Sequence, residues 1–304
     1  LPPSNPAAIA TAVQADRFAG QTTNPIEIII LGGASRASEV VAYSADLAKV
    51  NGVVAVTPPQ TYGDDIRLVA YESMLPRTPE AQKMIHDIRA IDAPEGTMIG
   101  GVSADYSDSQ DGISETLPLA LGWIVVTVLI LLFIFTGSIV LPIKAILLNI
   151  LSLGATMGVL SWVFIDGNLQ WLVGSFTVTG TLDTSIVILI EVVVFGLSMD
   201  YELFLLSRIR EEHLAGKSNV ESVAVGLQRS ARIITAAAVL LAVVFAAFVT
   251  SGVTSIKTMG FGVALAVLLD ATIVRGLLVP ALMRLFGENN WWAPQWMKRF
   301  TLHH

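Results

Sequence analysis

The chain has 304 residues, of which 53% are hydrophobic and only 14% charged, with a formal net charge of −7. Soluble globular chains carry about 25% charged residues, so this composition, with a mean hydropathy of +0.67, points to a membrane protein. The acidic balance excludes a nucleic-acid footprint, and the absence of cysteine excludes a disulfide framework or a thiolate metal site.

Leu1-Pro2-Pro3 shows no basic n-region of a secretory signal. Residues 26–101 then alternate strand and helix patterns. Ile26–Leu31 is an apolar run stopped by Gly32-Gly33, and Val53–Val56 and Thr97–Gly100 are similar short strands. Ile66–Tyr71 alternates as a further strand. Ser35–Val50 repeats apolar residues at helical spacing and ends at Asn51-Gly52. Thr78-Pro79 opens a second helix, with Thr78 as N-cap and Pro79 preset for the first turn. The order βαββαβ predicts an α+β ferredoxin-like module in which Ile28, Ile30, Val40, Val41, Val54, Val56 and Ile88 are buried. No nucleophile elbow, P-loop or metal cluster is visible, so the reading is of a non-enzyme with no bound cofactor.

Five stretches then approach or exceed the roughly 20 apolar residues that a membrane crossing needs: Leu117–Thr136, Ala145–Ile165, Thr184–Leu206, Ile233–Ser255 and Thr258–Met283. This divides the chain into an extracytoplasmic domain at 1–116, a membrane bundle at 117–285 and a tail at 286–304. The loop 207–232 carries Arg208, Arg210, Lys217, Arg229 and Arg232, and the stretch after the last span carries Arg284, Lys298 and Arg299, whereas the opposite loops offer only Lys257. The positive-inside bias places the basic loop and the C-terminus in the cytoplasm and residues 1–116 outside. Trp162, Trp171, Trp291, Trp292 and Trp296 fall at or near span ends, where indoles anchor at the interface.

The third span is the informative one. Asp200-Tyr201 interrupts an apolar run in which Glu191 and Glu202 also occur. A carboxylate in hydrocarbon costs about 2.5–3.5 kcal/mol on insertion scales, so it marks a proton relay, ion coupling or a buried ion pair. Helical spacing puts Gly196, Leu197 and Phe204 on or beside the Asp200 face, with Gly196 admitting a neighbouring helix and Phe204 packing beside the relay. Glu191 is nine positions earlier, on the opposite face and about 13 Å nearer the outside. Asp270 and Arg275, about 140° apart on an α-helix, read as an ion pair or as separate partners in the bundle rather than the primary relay.

The segment Gly196–Glu212, GLSMDYELFLLSRIREE, resembles the signature of the MmpL family, lipid exporters within the resistance–nodulation–division (RND) superfamily. Phe18-Ala-Gly-Gln-Thr-Thr-Asn-Pro-Ile-Glu27, LLDATIVRGLLVPALMRLFG at 268–287 and Asn290-Trp-Trp-Ala-Pro294 are similar to other parts of it. The resemblance implies half of a twelve-helix RND core: one porter domain and the five helices that follow, completed by an N-terminal half with a second Asp-Tyr pair facing Asp200. It implies proton-driven export of lipid or glycolipid, trehalose mycolates among them, across the inner membrane of an actinobacterium for envelope assembly. Asp200 and Tyr201 would form the relay, with Phe204, Gly196, Leu197, Glu191, Asp270 and Arg275 as its neighbours. Glu191 stands where the family pattern has an apolar residue. The partners implied are the lipid, the membrane, the other half, a second copy or accessory envelope proteins. A non-energised lipid- or sterol-sensing receptor, or an exporter of another amphipathic molecule such as a siderophore or drug, remains the alternative.

Overall fold

The computed structural model describes residues 5–17, 25–176, 178 and 180–298, so Phe18–Asn24 of the motif above and Arg299 lie outside the described residues. The chain divides into two compact units, 3–119 and 120–304.

In the first unit α1 (Pro6–Arg17) precedes β1 (Ile26–Ile30), α2 (Ala37–Leu47), β2 (Val53–Val56), β3 (Gln60–Tyr62), β4 (Asp65–Glu72), α3 (Pro79–Arg89) and β5 (Thr97–Gly100). The sheet order is β2-β4-β1-β5 with every neighbour antiparallel, as the ferredoxin-like reading requires. The extra strand β3 pairs with β4 as a hairpin and was not anticipated. Strand alternation puts Ile26, Ile28, Ile30, Ile66 and Leu68 on one face, where Val40, Tyr43 and Leu47 of α2 and Met84, Ile85 and Ile88 of α3 cover them. Two expected core positions are exposed. Val54 sits at the register shift between Val53 and Ala55 on the edge strand β2, and Val41 lies on the outer side of α2, one residue from buried Val40. Thr78 caps α3 by accepting a hydrogen bond from the Ala81 amide at 3.2 Å, with Pro79 in the first turn.

Among the described residues of this unit one carboxylate is fully buried. Glu72, at the end of β4, is bonded by the Ser103 hydroxyl at 2.7 Å, and burial pushes its proton affinity above the ordinary range, partly offset by that hydrogen bond.

The helix α4 (Val102–Thr136) belongs to the first unit as far as Leu119 and to the second from Ala120. The second unit continues with α5 (Val140–Leu160), a π-helical end Ser161–Ile165, the short α6 (Gln170–Val173), α7 (Thr184–Leu214), α8 (Asn219–Phe248), α9 (Thr254–Leu269), a π-helical stretch Asp270–Leu278, α10 (Val279–Phe286), a 3-10 turn Gly287–Trp291 and α11 (Gln295–Lys298). Among the described residues four helical stretches are long and apolar enough to cross a membrane: Val102–Thr136, Val140–Ile165, Asn219–Phe248 and Thr254–Trp291. The fifth expected span lies within α7, which is not among these four.

The α7 helix starts where Asp183 accepts from the amides of Ser185 and Ile186, and α8 starts at a capping box between Ser218 and Glu221. The helices α7, α8 and α9 pack mutually, and glycines set how closely. A Cβ on Gly226 of α8 would lie 2.9 Å from Cα of Ile209, and one on Gly260 of α9 would lie 2.6 Å from the Phe245 carbonyl oxygen. Leu205, Leu206, Ile209, Ile234 and Met283 lie in one apolar cluster, and Leu160, Phe164, Ile190, Val194 and Val263 in another. Leu147, Ile150, Leu240 and Val243 are exposed, as side chains facing lipid are.

Candidate functional site

The helix that carries the Asp200-Tyr201 pair is α7, and its two sides differ. Leu189, Val192, Gly196, Asp200 and Ser207 are exposed, at spacings of three, four, four and seven that trace one side of the helix. Ser198, Glu202, Leu205 and Ile209 are buried on the side that faces the bundle. Asp200 therefore stands on an open apolar stripe, with Gly196 one turn before it as expected. Tyr201, Leu197, Phe204 and Glu191 are half-buried at the flanks.

Behind that stripe lies a buried polar cluster. Asp270 accepts from the Ser198 hydroxyl at 3.0 Å and pairs with Nη2 of Arg275 at 2.5 Å. The same Nη2 donates to the Ser198 backbone oxygen at 2.5 Å. Arg275 is 1% exposed, and its guanidinium sits over the Tyr201 ring, 5.1 Å from the centroid, a cation–π contact strengthened by desolvation. A small cleft lined by Leu197, Ser198, Tyr201, Asp270 and Arg275 opens beside it. Arg275 thus links the buried acid to the tyrosine that neighbours Asp200.

Asp270 and Arg275 meet because Asp270–Leu278 is π-helical. The i→i+5 bonding of that helix brings residues five apart toward one side, whereas an ideal α-helix would leave them about 140° apart. Of the two readings left open by the sequence, the ion pair is the one observed.

Three further polar residues join this region, though the sequence did not nominate them. Ser198 and Glu202 are four apart on the inner face of α7, a spacing that could have flagged them. Glu202 lies 3.8 Å from Nε of Arg275. Lys144, one residue before the expected start of the second span, is inside α5, buried, and donates to Asn290. Asn290 itself donates to the Met283 oxygen at 2.6 Å, and its own backbone oxygen accepts from Ser138 at 2.5 Å. Phe204 carries Arg208 over its ring at 5.7 Å.

The arrangement is a set of buried, mutually bonded charges touching one half-buried phenol, next to one carboxylate on an open face. Such a set can bind and hand on protons; it contains no nucleophile aligned with a base. Residues 2–302 match the family model described as the MMPL family. The chain is 37% identical to the trehalose monomycolate exporter MmpL3 of Mycobacterium tuberculosis over 98% of its length, covering 33% of that protein. It is 43% identical to a putative membrane protein of Streptomyces coelicolor over 73% of its length, covering 31% of the relative. It is 35% identical to the mycolic acid-containing lipids exporter MmpL11 of Mycolicibacterium smegmatis over 94% of its length, again 31% of the relative. The chain thus spans about a third of the length of the curated relatives it matches.

Proposed function

The chain belongs to the MMPL family, and we propose that it forms one half of a proton-driven exporter of lipid or glycolipid. In this reading α7 is a fifth membrane span, residues 1–116 face the periplasm and the loop 207–232 faces the cytoplasm of an actinobacterial inner membrane. The Asp200-Tyr201 pair carries the proton. Its carboxylate meets a second, N-terminal half, and its phenol reports to the buried Asp270–Arg275 pair. Porter-domain movement then passes a long-chain substrate, of the trehalose mycolate kind carried by MmpL3, toward the envelope.

The observation that carries this reading is the position of Asp200. A carboxylate on an exposed stripe of Leu189, Val192 and Gly196, in front of the buried Asp270–Arg275 pair, stands open to a neighbouring helix. Gly196 lets a second helix approach, and one charge moving through 100 mV is worth about 2.3 kcal/mol, enough to shift a helix pair. A sensing receptor would need no such carboxylate.

The test is lipid flux in vesicles holding the complete transporter. The reading expects flux to collapse when an uncoupler removes the proton gradient. Flux that is indifferent to the uncoupler would assign the Asp-Tyr pair to sensing or structure.

A further inference from the structure

We propose that Glu202 is a second proton-accepting carboxyl of the membrane unit, distinct from Asp200 and addressed through Lys144 rather than Tyr201. This rests on the reading of the chain as part of a proton-driven transporter.

The buried unit holds two carboxyls and two cations close together, and they are held very differently. Asp270 is pinned: it accepts from Ser198 at 3.0 Å and from Arg275 at 2.5 Å. Glu202 is not. Its contact with Arg275 is 3.8 Å, too long for a hydrogen bond, although its side chain is 8% exposed. On its other side it shares a small cleft with Lys144, walled by Leu141, Leu148, Leu206 and Met283. Arg275 is committed to Asp270 and Ser198 through Nη2, and its Nε and Nη1 have no hydrogen-bond partner among the described residues. The charged groups facing Glu202 come from two other elements: Lys144 of α5, and Asp270 and Arg275 of the π-helical stretch.

With all four ionised the set is neutral. A hydronium ion gives up one proton, its O–H bond breaking to leave water, and an O–H bond forms on a Glu202 oxygen. The set then carries one net positive charge, and no hydrogen bond to Asp270 has to break. Of the two carboxyls, the loosely held one can change state without dismantling the bundle. Lys144 supplies the connection outward: it donates to Asn290, and Asn290 ties the 287–291 turn to Met283 and Ser138. Occupancy of Glu202 changes the pull on Lys144 and so reaches the end of the bundle where α5, α8 and α10 meet that turn. Lys144 is on this view a positioning residue.

The experiment is infrared difference spectroscopy of this chain in lipid vesicles during acid titration, following the C=O stretch of protonated carboxyl groups. The expected result is a component that vanishes in Glu202→Gln and whose titration midpoint moves in Lys144→Met. Should Glu202→Gln fail to fold, Glu202→Asp is read instead, and there the component should shift in frequency. A spectrum unchanged in Glu202→Gln, or unshifted in Glu202→Asp, would make Glu202 a permanently ionised structural partner and overturn the proposal. Failure here is separable from failure of the transport reading. Loss of flux in Asp200→Asn of the complete transporter, together with an unchanged Glu202 spectrum, defeats this proposal alone. Normal flux in Asp200→Asn defeats the relay and leaves the Glu202 component standing.

Discussion

The two units use the same charged side chains in opposite ways. In the first, pairs such as Arg89–Asp108 and Lys83–Asp87 stand in solvent, where an ion pair contributes about 0–1 kcal/mol. In the second, Arg275, Asp270 and Glu202 are removed from water, and breaking such a pair leaves an uncompensated charge at a cost of about 3–5 kcal/mol. Surface pairs can be lost without consequence. The buried set persists only where geometry and function hold it.

That contrast can be broken at several points. The largest effect belongs to Arg275→Leu, which strands Asp270 and Glu202. Thermal unfolding of the purified chain in micelles should show a loss of about 3–5 kcal/mol, and a loss below about 1 kcal/mol would mean the cluster is wet. Next comes Gly226→Val, which forces side-chain atoms against Ile209. Overpacking of this kind costs about 1–3 kcal/mol, measurable in the same melt as a loosening of α7 from α8. In the first unit, Thr78→Ala removes the cap on Ala81 and should cost about 1 kcal/mol, seen as faster amide exchange in the first turn of α3.

The smallest effect sharpens the comparison, because it concerns the one carboxyl that is fully buried among the described residues of the first unit. Glu72 has a raised folded-state affinity for protons, so the folded state binds more protons than the unfolded one, and this group makes stability fall as pH rises from the ordinary glutamate range through the folded value. Glu72→Gln should flatten that slope in exchange-based stability of the β4 amides. An unchanged slope would assign the pH dependence elsewhere.

Much of the first unit was legible because its signals are local. Thr78-Pro79 announces a cap, and the alternation of Ile26, Ile28 and Ile30 announces a half-buried strand. Strand β3 was not legible: Gln60–Tyr62 is polar and exposed, and it exists only as the return arm of a hairpin around Gly63, whose φ of 65° is left-handed. In the second unit the Asp-Tyr motif on α7 could be read from sequence, but its surroundings could not. Asp270 and Arg275 come together through a π-helical stretch that an assumed 3.6-residue period hides. Lys144 and Glu202 share a cleft across 58 positions, a separation no periodicity reports.

The central claim is that Asp200 carries the proton and that the charges behind it serve the relay. The most direct measurement is proton-driven lipid export by the complete transporter bearing Asp200→Asn, which preserves size and removes the titratable group. Tyr201→Phe and Glu191→Gln serve as graded comparisons. The account predicts normal insertion with export abolished in Asp200→Asn, impaired in Tyr201→Phe and mildly reduced in Glu191→Gln. Export at the parent rate in Asp200→Asn would contradict it, leaving Asp200 a structural polar residue.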